Sequence, residues 1–249
     1  MRADGIRLAL TTFTVAPVRP GRVDRRSAGV AMALAPVVGA LLGAVLAGAG
    51  LAATALGAPP LLAGVLTVGL GVLLTRGLHI DGLADTVDGL GSYRDAAGTL
   101  EIMKKPDVGP FGVAAIVLAL LVQAAGAAAV LARPWPVALS GVVAATAAGR
   151  LAVAWTCRRG VPAARPDGLG ALVAGTVGWL PLIAGAALVA ALAVPGRAWS
   201  GPLAVAVSLA AGVLFTHHVV RRIGGITGDV LGAVVEVSVS VAYVGLALS

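Results

Sequence analysis

The chain has 249 residues, of which 59% are hydrophobic and only 12% are charged, and its mean hydropathy is +0.99. Soluble globular domains carry about a quarter charged residues and a little under half apolar ones. This composition excludes a soluble globular enzyme and a disordered chain, and it predicts an all-α, polytopic membrane bundle of about six or seven transmembrane helices. The net charge of +7 is better explained by arginines that face a lipid bilayer than by nucleic acid binding.

A single domain, residues 1–249, is expected. Its first 27 residues form a basic N-terminal segment with six arginines, in which residues 6–18 suit either an interfacial helix or part of a substrate gate. Residues 76–110 form an acidic-motif segment between the second and third spans. Since a bilayer span needs about 20 apolar residues, the predicted spans are Ala28–Gly57, Leu61–Thr75, Phe111–Ala132, Val137–Cys157, Leu169–Val194, Pro202–Val219 and Val230–Leu248.

The distribution of basic residues predicts the orientation of these spans. If the N-terminus is cytoplasmic, fifteen of the eighteen lysines and arginines fall on the cytoplasmic side, and only Arg133 and Arg197 fall on the other. Cytoplasmic loops carry such an excess of Lys and Arg. We therefore expect a multi-pass protein of the cell (inner) membrane with a cytoplasmic N-terminus. The acidic residues also lie in cytoplasmic segments or near that face, so the active site is expected there.

Three aspartates recur at helical spacing in the segment Gly77–Gly91, which reads GLHIDGLADTVDGLG. Asp81, Asp85 and Asp88 stand at i, i+4 and i+7, which places them on one helix face. Carboxylates this close repel each other and require protons or a cation, and their oxygens suit Mg²⁺ or Mn²⁺. A solvated acidic helix face is the alternative, but the intervening apolar residues favour a helix packed against lipid or protein, where carboxylates are usually functional.

Two further segments carry charge beside glycine. In Glu101–Gly112, Lys104 would either bind phosphate or anchor the span at the membrane surface. In Arg221–Gly232, Asp229 would either cap the last span or complete a glycine-rich phosphate and metal cradle with the two arginines.

Arg150 and His79 are weaker candidates. Arg150 lies inside a predicted span, so its side chain should meet an acid or a phosphate, or else extend to the interface. His79 flanks the acidic motif. Together with the preceding segments, these residues suit phosphoryl or nucleotidyl transfer, in which a metal neutralises a diphosphate and a free carboxylate takes a proton.

Four motifs give the chain a specific resemblance: GLHIDGLADTVDG at Gly77–Gly89, EIMK at Glu101–Lys104, GPFG at Gly109–Gly112 and GGITGDVLGA at Gly224–Ala233. In this order they resemble the cobalamin synthase (adenosylcobinamide-GDP ribazoletransferase) family, and the early Phe13–Pro17 resembles the family's N-terminal stretch. The chain departs from the family at Lys105, where an acid commonly stands.

The resemblance implies the reaction and the metal ligands, whereas the base and the substrate-binding residues below are our own assignment. The 3′-hydroxyl of α-ribazole, or of its 5′-phosphate, attacks the cobinamide-side phosphorus of adenosylcobinamide-GDP, and GMP leaves. Mg²⁺ is the implied metal, with Mn²⁺ as the alternative, and a homo-oligomer stays open. The expected metal ligands are Asp81, Asp85, Asp88 and Asp229. Asp85 or Asp88 is the expected catalytic base. The expected substrate-binding residues are His79, Lys104, Arg150, Arg221, Arg222, Gly225 and Thr227.

Two other functions share part of this pattern. A CDP-alcohol phosphatidyltransferase also holds metals with aspartates on a membrane helix, but its Ala-Arg pair after Asp-Gly is replaced here by LGSYR after Asp88-Gly89. A cation-coupled transporter would need polar residues that continue to the far face, and the fifth and sixth predicted spans show almost none.

Overall fold

A computed structural model describes residues 2–19 and 21–249. The described residues form helices and two isolated β-bridges, with no strand. The helices are α1 (Arg2–Phe13), α2 (Arg25–Ala55), α3 (Pro60–Leu74), α4 (Leu78–Gly91), α5 (Ala96–Ile102), α6 (Pro110–Leu131), α7 (Trp135–Thr156), α8 (Gly168–Val173), α9 (Trp179–Leu192), α10 (Ser200–Ile223) and α11 (Gly228–Ala247).

Five of these helices, α2, α6, α7, α10 and α11, are long and apolar enough to cross a membrane. Helix α3 is followed by α4 at a bend of 88°, and α9 is a shorter apolar helix. The bend lies at Arg76 and Gly77, whose φ angles of 58° and 67° are left-handed. The predicted all-α, polytopic membrane bundle is thus confirmed.

Side-chain contacts define two ends of the bundle. At one end, Arg25 donates to the carbonyl of Ala174 just after α8 (2.7 Å), and Gly170 of α8 packs on the backbone of Ile226 before α11. At the other end, Arg197 donates to the carbonyl of Leu246 (3.2 Å) near the end of α11. The first of these ends carries α4, and we call it the acidic end.

Helix α4 lies at the acidic end, bent by 88° from α3, and is not among the five helices that are long enough to span a membrane by themselves. A Cβ atom on Gly82 would stand 2.6 Å from the carbonyl oxygen of Asp229, in the first turn of α11. A Cβ atom on Gly232 would stand 3.0 Å from the carbonyl oxygen of His79. Because neither glycine has a side chain, the backbones of α4 and α11 come into direct contact.

The predicted fifth span, Leu169–Val194, is not continuous. Helix α8 ends at Val173, and the chain turns at Gly175, which has a φ of 71°. Val177 then donates to the carbonyl of Cys157 (3.0 Å), and its own carbonyl accepts from Arg159 (3.0 Å). This backbone pairing replaces helical hydrogen bonds. The predicted span is therefore reduced to α9, an apolar helix of 14 residues.

The N-terminal stretch from residue 6 to 18 is helical up to Phe13, and α1 packs along α2. Gly5 lies so close to Val30 that an added Cβ atom would stand 2.5 Å from its side chain. Phe13 is buried, and its ring centroid lies 6.1 Å from that of His79 in α4. The end of α1 therefore supports the acidic helix from one side.

Asp88 joins α4 to α6. Helix α6 begins after Gly109, which has no side chain to cap the helix. The two carboxylate oxygens of Asp88 accept from the backbone N–H groups of Gly109 (2.7 Å) and Gly112 (2.8 Å). A carboxylate at a helix N-terminus satisfies free N–H groups and interacts favourably with the helix dipole.

Replacing Gly64 with valine is expected to destabilise the bundle. A Cβ atom at Gly64 of α3 would stand 2.3 Å from the carbonyl oxygen of Ala124 in α6, whereas Gly69 on the same helix has nothing within 4 Å. Overpacking costs about 1–3 kcal/mol, so Gly64→Val should lower the unfolding temperature in detergent by several degrees. The matched control Gly69→Val should change it little, and equal unfolding temperatures for the two variants would contradict this packing.

Asp88→Asn is expected to loosen the junction between α4 and α6. The asparagine amide would direct a donor at a backbone N–H, and hydrogen bonds to charged groups contribute about 1.5–3 kcal/mol. The unfolding temperature should therefore fall relative to wild type, while it stays unchanged in Asp107→Asn, whose side chain is exposed. If both variants have the unfolding temperature of the wild type, the contact of Asp88 with the start of α6 does not stabilise the fold.

Candidate active site

One cavity at the acidic end collects charged residues from four parts of the chain. It has a volume of about 390 Å³. Asp81 and Asp229 contribute carboxylates from α4 and α11, and Lys104 contributes an ammonium from the segment after α5. We call it the acidic cavity. Its full lining is Leu78, Asp81, Lys104, Arg165, Asp167, Gly168, Leu169, Gly170, Ile226, Thr227, Gly228 and Asp229.

Asp85 stands one helical turn beyond Asp81. Partial burial, together with the negative charges of Asp81, Asp229 and Asp88, raises its pKa to about 6 against an opposing effect of Arg165. Desolvation and nearby like charges both disfavour a carboxylate. Asp85 is therefore electrostatically part of a group of acids drawn from α4 and α11.

The third predicted carboxylate of α4 has a different environment. Neither Asp85 nor Asp88 is among the residues that line the acidic cavity. What sets Asp88 apart is that both of its oxygens accept backbone N–H groups of α6. The structure thus brings Asp81 and Asp229 into one cavity, with Asp85 beside them, and places Asp88 at the junction with α6. Helical periodicity alone gave no sign of this division.

The glycine-rich segment before α11 shapes the cavity wall. Gly225 is buried, and an added Cβ atom would stand 2.3 Å from the carbonyl carbon of Ala163. Thr227 is the N-cap of α11, where its hydroxyl accepts from the N–H of Val230 (3.3 Å) and donates to the carboxylate of Asp229 (3.2 Å). Of these two predicted substrate-binding residues, the structure brings Thr227 to the cavity and packs Gly225 behind it.

Two other predicted substrate-binding residues, His79 and Arg150, lie in a separate cavity inside the bundle. This cavity has a volume of about 40 Å³ and is also lined by Gln123 and Glu236. The Arg150 guanidinium lies 3.3 Å from Nδ1 of His79, and Glu236 interacts with it electrostatically. Arg150 therefore contacts a histidine and shares its cavity with an acid, inside the protein and away from the acidic cavity.

Sequence reasoning assigned no role to Gln123 or to Glu236. Gln123 donates to the Glu236 carboxylate (2.7 Å) and to the hydroxyl of Ser240 (3.2 Å). The available signal was an isolated polar residue in each of two predicted spans, since polar groups in spans usually pair with each other.

The structure also places Arg221 and Arg222 away from the acidic cavity. Both are exposed. Arg222 donates to the carbonyl of Arg94 (3.4 Å) and lines a different groove, of about 480 Å³, with Tyr93 and Phe111. Lys104 is thus the one predicted basic residue that the described part of the chain brings to the acidic cavity. Arg165, which sequence reasoning did not single out, lies there as well.

The carboxylates of the acidic cavity fit a magnesium ion whose remaining coordination positions are filled by substrate and water. Within residues 2–19 and 21–249, no three His, Cys, Asp or Glu side chains form a group that would hold a metal by themselves. Mg²⁺ is usually bound through one or two carboxylates together with substrate phosphates and water. Asp81 and Asp229 supply two carboxylates in one cavity, with Asp85 adjacent.

Comparisons with known proteins identify the family of this chain. A family model described as cobalamin-5-phosphate synthase matches residues 5–247. Three relatives are each named adenosylcobinamide-GDP ribazoletransferase. The protein of Frankia casuarinae is 43% identical, over 98% of this chain and 94% of its own. That of Nocardioides sp. is 41% identical, over 95% of both chains. That of Stutzerimonas stutzeri is 40% identical, over 97% and 96% respectively.

No solved structure gave a significant match. The family match nevertheless covers nearly the whole sequence, including the acidic helix, the segment after α5 and the start of α11. It confirms the resemblance inferred from the four motifs. The chain belongs to the cobalamin-5-phosphate synthase family.

Proposed function

We propose that this protein is a Mg²⁺-dependent transferase that joins adenosylcobinamide-GDP to α-ribazole, or to its 5′-phosphate, and releases GMP. The observation that carries the proposal is the acidic cavity, in which carboxylates of α4 and α11 lie with Lys104 and Arg165. Cations are required to balance the negative charge of a diphosphate substrate, and carboxylates are required to bind the metal ion that accompanies it. Membership in the family and the names of the relatives support this choice of substrates.

Asp81 and Asp229 are the proposed metal ligands, and Asp85 beside them is the proposed base. Bound there, Mg²⁺ would neutralise the diphosphate and favour cleavage of its bridging P–O bond. Thr227 supports Asp229 through its hydroxyl. Lys104 is exposed, so its ammonium is free to reach phosphate oxygens at the cavity mouth.

The proposed chemistry is a single phosphoryl substitution. The ribose 3′-oxygen of α-ribazole forms a bond to the cobinamide-side phosphorus, and the bond from that phosphorus to the GMP oxygen breaks. The hydroxyl proton passes to a carboxylate. Asp85 is the better acceptor, because the oxygens of Asp88 are already held by two N–H groups of α6.

We further propose that the acidic end faces the cytoplasm and that the N-terminus lies on that side of the cell membrane. The basic connections support this orientation, because Arg25, Lys104 and Arg165 all lie at the acidic end, whereas Arg133 and Arg197 contact residues near the end of α11. An excess of basic residues marks the cytoplasmic face of membrane proteins. The nucleotide substrate would then enter from the cytoplasm.

Asp85→Asn is expected to abolish GMP release from adenosylcobinamide-GDP and α-ribazole in the presence of Mg²⁺. An amide cannot take the proton, so the rate should fall at least about a hundredfold, the lower range for loss of general base catalysis. The matched control Asp107→Asn, which changes an exposed acid between α5 and α6, should retain full activity. Quantifying GMP by chromatography measures both, and removal of Mg²⁺ with EDTA should stop the wild-type reaction.

Three outcomes would count against the proposal. They are undiminished GMP release by Asp85→Asn, wild-type turnover that survives EDTA, and release of CMP from a CDP-alcohol with no GMP from adenosylcobinamide-GDP. The last would favour a phosphatidyltransferase.

A further inference from the structure

We propose that Arg165 is the fixed cation of the acidic cavity and binds the diphosphate of the nucleotide substrate. This inference rests on the proposed function. It gives Arg165 the phosphate-binding role that the sequence analysis assigned to Lys104, Arg150, Arg221 and Arg222. Arg165 lies in the connection between α7 and α8 and lines the acidic cavity with Asp81 and Asp229.

The guanidinium of Arg165 is oriented by one hydrogen bond and has donors to spare. Its Nη2 donates to the carbonyl of Leu100 in α5 (2.6 Å). Its Nε is buried and has no acceptor among the described residues. A guanidinium carries five N–H donors in a planar fork that matches phosphate oxygens. Because an unsatisfied buried donor is costly, an anion in the cavity would complete the site.

No acid within the described residues closes this gap. The charge of Arg165 acts on Asp85 and Asp229, yet that part of the chain contains no ion pair of Arg165 within 4.0 Å. Arg165 thus lies near the acids without forming an ion pair with them. An anion that binds a metal ion held by those acids can therefore also bind Arg165. Two adjacent phosphates provide such an anion, since one set of oxygens can face the metal and another the guanidinium.

The segment that carries Arg165 is fixed by the glycine-rich motif before α11. Ala164 donates to the carbonyl of Ile226 (3.0 Å), and Ile226 donates to the carbonyl of Pro162 (2.9 Å). The close approach requires Gly225, where any Cβ atom would overlap Ala163. The motif thus holds Arg165 in place before substrate arrives, which lowers the entropic cost of binding.

The other basic residues do not share these features. Lys104 lines the cavity but is exposed, and it presents a point charge on a long stem. Arg150 is enclosed in the interior cavity, and Arg222 lies in a separate groove. Within the described residues, Arg165 is therefore the one arginine that lines the acidic cavity.

The test compares Arg165→Gln and Arg165→Lys with Arg159→Gln in the full-length protein in detergent. Arg159 is exposed, lies in the same connection and does not line the cavity. Two quantities are measured: binding of inorganic pyrophosphate with Mg²⁺ by calorimetry, and KM and kcat for GMP release. Arg165→Gln should weaken pyrophosphate binding and raise the KM for adenosylcobinamide-GDP, each by at least about tenfold, the effect of losing a charged hydrogen bond.

The pattern across the variants distinguishes binding from a structural role. The KM of Arg165→Gln for α-ribazole should stay within about twofold of wild type, since that substrate has no diphosphate. The pyrophosphate affinity of Arg165→Lys, and its KM for adenosylcobinamide-GDP, should lie between those of Arg165→Gln and wild type, because lysine keeps the charge but lacks the planar fork of donors. Arg159→Gln should match wild type. If Arg165→Gln proves unstable, Arg165→Lys is used instead, and its pyrophosphate affinity and its KM for adenosylcobinamide-GDP are each compared with wild type.

The two proposals fail in different ways. If the wild type releases no GMP, the proposed function is wrong, while the pyrophosphate affinities still test Arg165. If the wild type is active and Arg165→Gln and Arg165→Lys equal Arg159→Gln in both pyrophosphate affinity and KM, the role of Arg165 is wrong. Equal increases in the KM of both substrates would also overturn it, because they indicate a general distortion.

Discussion

The arrangement of the acidic end depends on the direct backbone contact between α4 and α11. Gly82 meets the carbonyl of Asp229, and Gly232 meets that of His79, with no room for a Cβ atom at Gly82. Acids from two helices can share one cavity only if the helices come this close, because a carboxylate side chain is short. The same contact that brings Asp81 and Asp229 together forces their charges to interact, which favours a bound cation.

Other contacts hold this junction from the remaining sides. Asp88 fixes α4 to the start of α6, the ring of Phe13 lies beside His79, and Arg150 contacts His79 from inside the bundle. A cluster of buried polar groups around Arg150 and Glu236 therefore supports α4 from the interior of the bundle, through the contact of Arg150 with His79. Rigid support of this kind keeps ligands in place, as metal and phosphate sites require.

The sequence predicted the helical membrane architecture and a helix that carries the three acids of α4, because apolar length and helical spacing are local signals. It did not predict the break at Gly175, which depends on backbone pairing between Val177 and Cys157, or the separate position of Asp88. Arg165 had no motif of its own, since its place is set by contacts with Leu100 and Ile226 far along the chain. Arg150 contacts His79 and lies in one cavity with Glu236, and periodicity does not reveal which cavity a buried side chain enters.

In the proposed site, carboxylates from two different helices bind one divalent ion together with a diphosphate. Titration of Mn²⁺ into the full-length protein with pyrophosphate, followed by electron paramagnetic resonance, tests this shared binding most directly. Asp81→Asn in α4 and Asp229→Asn in α11 should each weaken Mn²⁺ binding by at least about tenfold, and Asp107→Asn should not. Wild-type affinity in either of the first two variants would contradict a shared site.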